Sequence, residues 1–105
     1  INRIQISPAL EVIKRTGNGS LTIELDQVYP GENIEIDFGK PEIATWGSLE
    51  IYANGKDWSK VNFTQEKNLL TASLQQKPIK AVRFTNMQHQ EQEIYLRRFI
   101  ITIDK

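Results

Sequence analysis

Hydrophobic and polar positions alternate along most of this chain with a period of two, the spacing that sends successive side chains to opposite faces of a strand. Leu49, Ile51 and Ala53 share one parity, with Glu50 and Tyr52 on the other. Asn54-Gly55 follows at once, the pair favoured where both centres of a two-residue hairpin turn need positive φ, so a tight antiparallel turn is predicted there. Past it, Trp58 and Val61 supply the apolar positions of a returning strand, and Trp58 is assigned to the core. Upstream, Leu21, Ile23 and Leu25 alternate with Thr22 and Glu24. Tyr29-Pro30-Gly31 then reads as a turn, and Ile34, Ile36 and Phe38 alternate with Glu35 and Asp37 before Gly39 and Pro41, which predicts a second strand pair.

Later segments follow the same rule. Leu69 to Leu74 and Lys80 to Thr85 are candidate strands, with Val82 and Phe84 inward and Arg83 outward. Ile94 to Ile103 is the most apolar stretch and β-branched near its end, as expected of a long strand buried on much of both faces. The opening segment holds Ile4 and Ile6, then Leu10, Val12 and Ile13 beyond Pro8. It reads as two short strands, with one strand and a helical turn as the alternative. About seven to nine short strands without a sustained helical period predict an all-β fold, an antiparallel β-sandwich or jelly roll of two packed sheets.

The 105 residues suffice for one domain, 1–105, with one core. Opening on Ile1 and not on Met, the chain is read as a piece excised from a longer protein. Thirteen basic residues balance thirteen acidic ones, so nothing draws the chain electrostatically to nucleic acid or anionic lipid, and neither is expected as a partner. With no cysteine, disulfides and thiolate metal sites are excluded.

The residue types that perform catalysis are sparse. The only histidine, His89, sits in the polar run QHQEQE, read as a solvated loop, and a single histidine supplies neither a nucleophilic triad nor a zinc site. Gly17-Asn18-Gly19 precedes a strand and reads as a turn, not a phosphate-binding loop. Asn18-Gly19-Ser20 and Asn62-Phe63-Thr64 match the N-glycosylation pattern, which is too short to carry weight. Glycan binding is the reading with physical content, because sugar rings stack on aromatics while hydroxyls need amides, carboxylates or arginine. The candidates are Trp46, between turn residues before a strand; Tyr52 and Arg83, on the outward parity of theirs; and His89. For Tyr52 and Arg83 the competing reading is a cross-strand stacking pair.

The segments YPGENIEIDFGKP, WGSLEIYANGKDW, KPIKAVRFTN and YLRRFIITID, in that order, resemble the galactose-binding-like, discoidin-type β-sandwich. With ISPALEVIK near the start, they resemble more specifically the C-terminal region of bacterial family 84 glycoside hydrolases, the β-N-acetylglucosaminidases. The resemblance implies a non-catalytic C-terminal module of a periplasmic or extracellular enzyme of hyaluronidase-like type, whose first partner is the catalytic domain of the same polypeptide. That family's catalytic residues are neighbouring aspartates in a barrel domain. Asp26, Asp37, Asp57 and Asp104 stand singly, so no catalytic residue carries over. Docking against the catalytic part is the first role expected, and glycan binding the second. An adhesion or protein-interaction sandwich unconnected with hydrolysis is the alternative from another class. Modules of the discoidin type often hold a structural calcium. No acidic loop cluster marks one here, and no cofactor or metal ligand is expected.

Overall fold

A computed structural model of the chain describes residues 3–6, 14–15, 20–38, 47–55, 57–86 and 97–104. Nine strands are present among them: β1 (Arg3–Ile6), β2 (Lys14–Arg15), β3 (Ser20–Asp37), β4 (Gly47–Tyr52), β5 (Ser59–Val61), β6 (Thr64–Glu66), β7 (Leu69–Ser73), β8 (Pro78–Asn86) and β9 (Arg98–Asp104). Every pairing is antiparallel. The predicted all-β architecture is what forms.

The organising element is β3. Its first part pairs with β2 on one side and β8 on the other, and β8 continues through β4 to β5. Its second part pairs with β9 and β7, which lead outward to β1 and β6. Tyr29-Pro30-Gly31, predicted as a turn, is the crossing point of this one strand between the layers, with register irregularities on either side. The two alternating runs therefore belong to opposite sheets and do not form a hairpin with each other. Gly31 allows the crossing. A Cβ there would lie 2.6 Å from Leu74 Cδ1, while its own N–H donates to Lys77 O at 2.8 Å and its carbonyl accepts from Gln76 N at 2.8 Å.

Inward positions pair across the strands. Leu21, Phe84, Leu49 and Val61 form one rung and Ile23, Val82 and Ile51 the next. The facing layer supplies Ile36 with Phe99 and Leu70, then Ile34 with Ile101 and Ala72. Ile34, Ile36, Leu70, Val82, Phe84 and Ile101 are wholly buried, each such side chain contributing about 1.5–3 kcal/mol. Phe38 joins Phe84 at 4.8 Å between ring centres.

The tail strand is shorter than predicted, Arg98–Asp104, with Phe99, Ile101 and Ile103 buried as expected and Thr102 nearly so on the other face. Ile4 and Ile6 lie on β1 at a sheet edge. Lys14–Arg15 is a short strand, while Leu10, Val12, Ile13, Gly17, Asn18, Gly19, Gly39, Pro41 and Ile94 fall outside the described residues.

Two features depart from expectation together. The β4–β5 register is Leu49↔Val61, Glu50↔Lys60, Ile51↔Ser59, so residues 53–58 form a longer connection in place of a two-residue turn. Gly55 has φ +88°, but Asn54 is not left-handed, and the mirror-image turn needs both. A turn centred on Asn54-Gly55 would set Trp58 opposite Ile51, facing inward. The observed register is one residue longer and turns Trp58 to the outside, because strand side chains alternate. Trp58 is thus half-buried on the outer face and no part of the core.

Candidate functional site

Glu50, Tyr52 and Arg83 share the outward face of the β4–β8 pair, where Glu50 is the register partner of Arg83 and Tyr52 of Ala81. Trp58 joins them from the β4–β5 connection. Arg83 donates from Nε and Nη2 to Glu50 Oε1, at 3.2 and 2.9 Å, and its Cζ lies 4.1 Å from the Trp58 ring centre. The Tyr52 ring sits 5.3 Å from that of Trp58, tilted by 36°. The structure therefore brings together two of the four predicted site residues, Tyr52 and Arg83. Their link is Trp58, in place of direct stacking on each other. Parity alone would have placed Trp58 correctly had the longer connection been foreseen.

This patch is internally satisfied. The guanidinium is held by a carboxylate and lies on an indole, a combination of ion pair and cation–π contact that orders all three side chains. An indole face under its own arginine is not free for a sugar. Trp46 and His89 lie outside the described residues, and the strand ends nearest them in sequence, Gly47 and Asn86, are register partners.

A second feature carried no sequence signal. A groove of about 680 Å³ opens between β5 and β7, beside the connection through Asn62 and Phe63. Its walls come from distant parts of the chain, Asn33 on β3, Thr71 and Ser73 on β7, and Gln75 in the next turn. On the other side of the same connection a smaller hollow of about 390 Å³ runs toward Gly47 and Ser48, and Phe63 borders both. β6 begins only at Thr64, whose Oγ1 lies 3.0 Å from Thr71 Oγ1, so β7 continues past its neighbour and presents Ser73 to the groove. Planar amides and hydroxyls beside one half-buried ring offer hydrogen bonds in both directions and an apolar surface.

Among the described residues no group of three or more His, Cys, Asp or Glu side chains converges as a metal site. Glu32 and Asp104 approach through Arg3, whose Nη2 is 3.6 Å from Glu32 Oε2 and whose Nε is 3.9 Å from Asp104 Oδ1. Gln76 Nε2 donates to Asp104 Oδ2 at 3.3 Å.

A family model described as carbohydrate-binding module family 32 matches residues 1–37. Among solved structures, module 6 of this kind from a family 89 glycoside hydrolase of Clostridium perfringens shares 23% identity. The likeness covers 96% of this chain and 75% of that one, with a TM-score of 0.51. A family 31 hydrolase module of the same type, solved bound to GalNAc, shares 12% identity over 98% of this chain and 77% of its own, with a TM-score of 0.55. A putative alpha-L-fucosidase of Bacteroides thetaiotaomicron shares 19% identity over 96% of this chain but 22% of its own, with a TM-score of 0.56. At such identities the shared property is the fold, an antiparallel β-sandwich of the carbohydrate-binding module type.

Proposed function

We propose that this chain is a non-catalytic accessory module of a glycoside hydrolase and that it binds glycans. What carries the reading is the coincidence of a carbohydrate-binding family model over residues 1–37 with a fold likeness, over nearly the whole chain, to modules of that kind, one of them bound to GalNAc. The parent is a family 84 β-N-acetylglucosaminidase on the resemblance of its segments, and it acts outside the cytoplasm, where its polymeric substrates are. Holding an enzyme near its substrate needs only weak, reversible contact. A dissociation constant on the order of 1 mM, about −4 kcal/mol, is sufficient, since linkage to the enzyme raises the local sugar concentration.

Docking to the catalytic part is the second reading, favoured by the self-satisfied Tyr52–Trp58–Arg83 patch, which has the Trp, Tyr and Arg composition of interface anchors. Calorimetric titration of GalNAc, galactose and GlcNAc into the domain decides between the two. Saturable heat with at least one sugar is expected. No response to any of them, well above millimolar concentration, removes glycan binding and leaves docking.

A further inference from the structure

We infer that the β5–β7 groove is a glycan subsite, and that Gln75 is held in a costly backbone conformation to furnish it. The inference rests on the glycan-binding reading above and adds the place and the chemistry.

The turn from β7 to β8 is closed by Lys77 N donating to Leu74 O at 3.0 Å, and both its central residues are left-handed, Gln75 at φ 51° and Gln76 at φ 62°. Such a turn favours Asn-Gly, and each glutamine there costs on the order of 1 kcal/mol. Strain of this kind persists where the surroundings enforce it, as the two hydrogen bonds of Gly31 do here, and it clusters at functional sites. Gln76 has a partner in Asp104, whereas Gln75 is exposed and borders the groove that Asn33 and Asn62 also line.

The lining selects among ligands. Its wall is mostly polar, which disfavours a lipid or an apolar helix. Lys60 and Lys77 are offset in part by Glu32, and among the described residues no arginine borders the groove to fork onto a phosphate. The match is an uncharged chain of hexoses or N-acetylhexosamines, with one pyranose face on Phe63 and its hydroxyl or acetamido groups on Asn62, Ser73 and Gln75. The groove's volume lies within the range of small-ligand sites.

Amide NMR of the labelled protein, titrated with GalNAc, GlcNAc, galactose and di-N-acetylchitobiose, tests this. Shifts centred on residues 60–64 and 71–77 are expected. Gln75→Gly relieves the turn, so it should raise the melting temperature while weakening binding about fivefold, the worth of one good hydrogen bond. A purely structural glutamine would give the first effect without the second. Shifts clustered elsewhere, or unchanged affinity in Gln75→Gly, overturn the subsite while glycan binding stands. No shift with any sugar overturns both.

Discussion

Gly47→Ala should destabilise this domain by about 2 kcal/mol, even though the backbone there is one an alanine could adopt. Gly47 opens β4 with no positive φ, and replacing a strand glycine by alanine ordinarily gains about 0.5–1 kcal/mol. Here the added Cβ would lie 2.0 Å from Phe84 Cζ, 2.2 Å from Cε2 and 3.0 Å from Cε1. The ring would have to move by more than an ångström to regain ordinary contact, and it is wholly buried against Phe38. Overpacking a core costs about 1–3 kcal/mol, and a ring struck so directly belongs at the upper end. Subtracting the backbone gain leaves about 2 kcal/mol, a loss in melting temperature on the order of 10 °C for a domain this size. Urea and thermal unfolding followed by circular dichroism give both quantities. Phe84→Leu makes room, so the double variant should lose less than the sum of the singles, with a coupling of about 1 kcal/mol or more. A Gly47→Ala protein as stable as the parent, or strict additivity in the cycle, would show that the ring does not rest on the glycine.

Three further outcomes are expected. Arg83→Lys keeps the charge but loses the forked hydrogen bonds and the planar stack on Trp58, and should cost about 1–2 kcal/mol in urea unfolding; no loss would mean the patch contributes nothing to stability. The Tyr29 phenol ionises above the ordinary value of 10.0, foremost through its hydrogen bond to Asp26, with burial and the Asp26 charge adding and Gln27 opposing. A raised folded value means the phenol's contribution is complete below about pH 10 and fades as pH climbs through the folded value. Alkaline absorbance titration should therefore find a late-ionising tyrosine that moves down in Asp26→Asn, and an unmoved curve would contradict the assignment. Finally, Asn54-Gly55 is exposed and outside any tight turn. The Gly55 amide nitrogen can attack the Asn54 side-chain carbonyl, expelling ammonia, and the cyclic imide then takes up water. Peptide mapping after mildly alkaline storage should find aspartate and isoaspartate at Asn54, slowed in Gly55→Ala; an intact Asn54 would show the connection is held rigid.

What the sequence disclosed, and what it hid, divides on a physical line. Alternation placed Leu21, Ile23, Ile34, Ile36, Leu49, Ile51, Val82 and Phe84 inward without error, because a two-sided sheet leaves a period of two in any strand it half-buries. Register was not readable at the β4–β5 hairpin. Asn54-Gly55 is a strong local preference, yet the observed register is one residue longer and comes with a Tyr52–Trp58 contact, and that one added residue moves a tryptophan from interior to surface. Tyr29-Pro30-Gly31 misled for a related reason. Proline and glycine mark a break in the ladder, and a strand that changes sheets needs such a break as much as a turn does. Of the two candidate surfaces, the outer patch of Tyr52 and Arg83 was within reach of parity. The groove was not, since Asn33, Asn62, Ser73 and Gln75 converge only through pairings between distant strands.

That β3 runs through both layers also governs when this domain can come into being on the ribosome. Its earlier part waits for β8 and its later part for β7 and β9, the last of these strands to be synthesised. Until those strands arrive, the alternating runs Leu21–Leu25 and Ile34–Phe38 have no lasting partner. Nascent chains of this module should therefore depend on holding chaperones, and truncations before Arg98 should aggregate where residues 1–105 together do not.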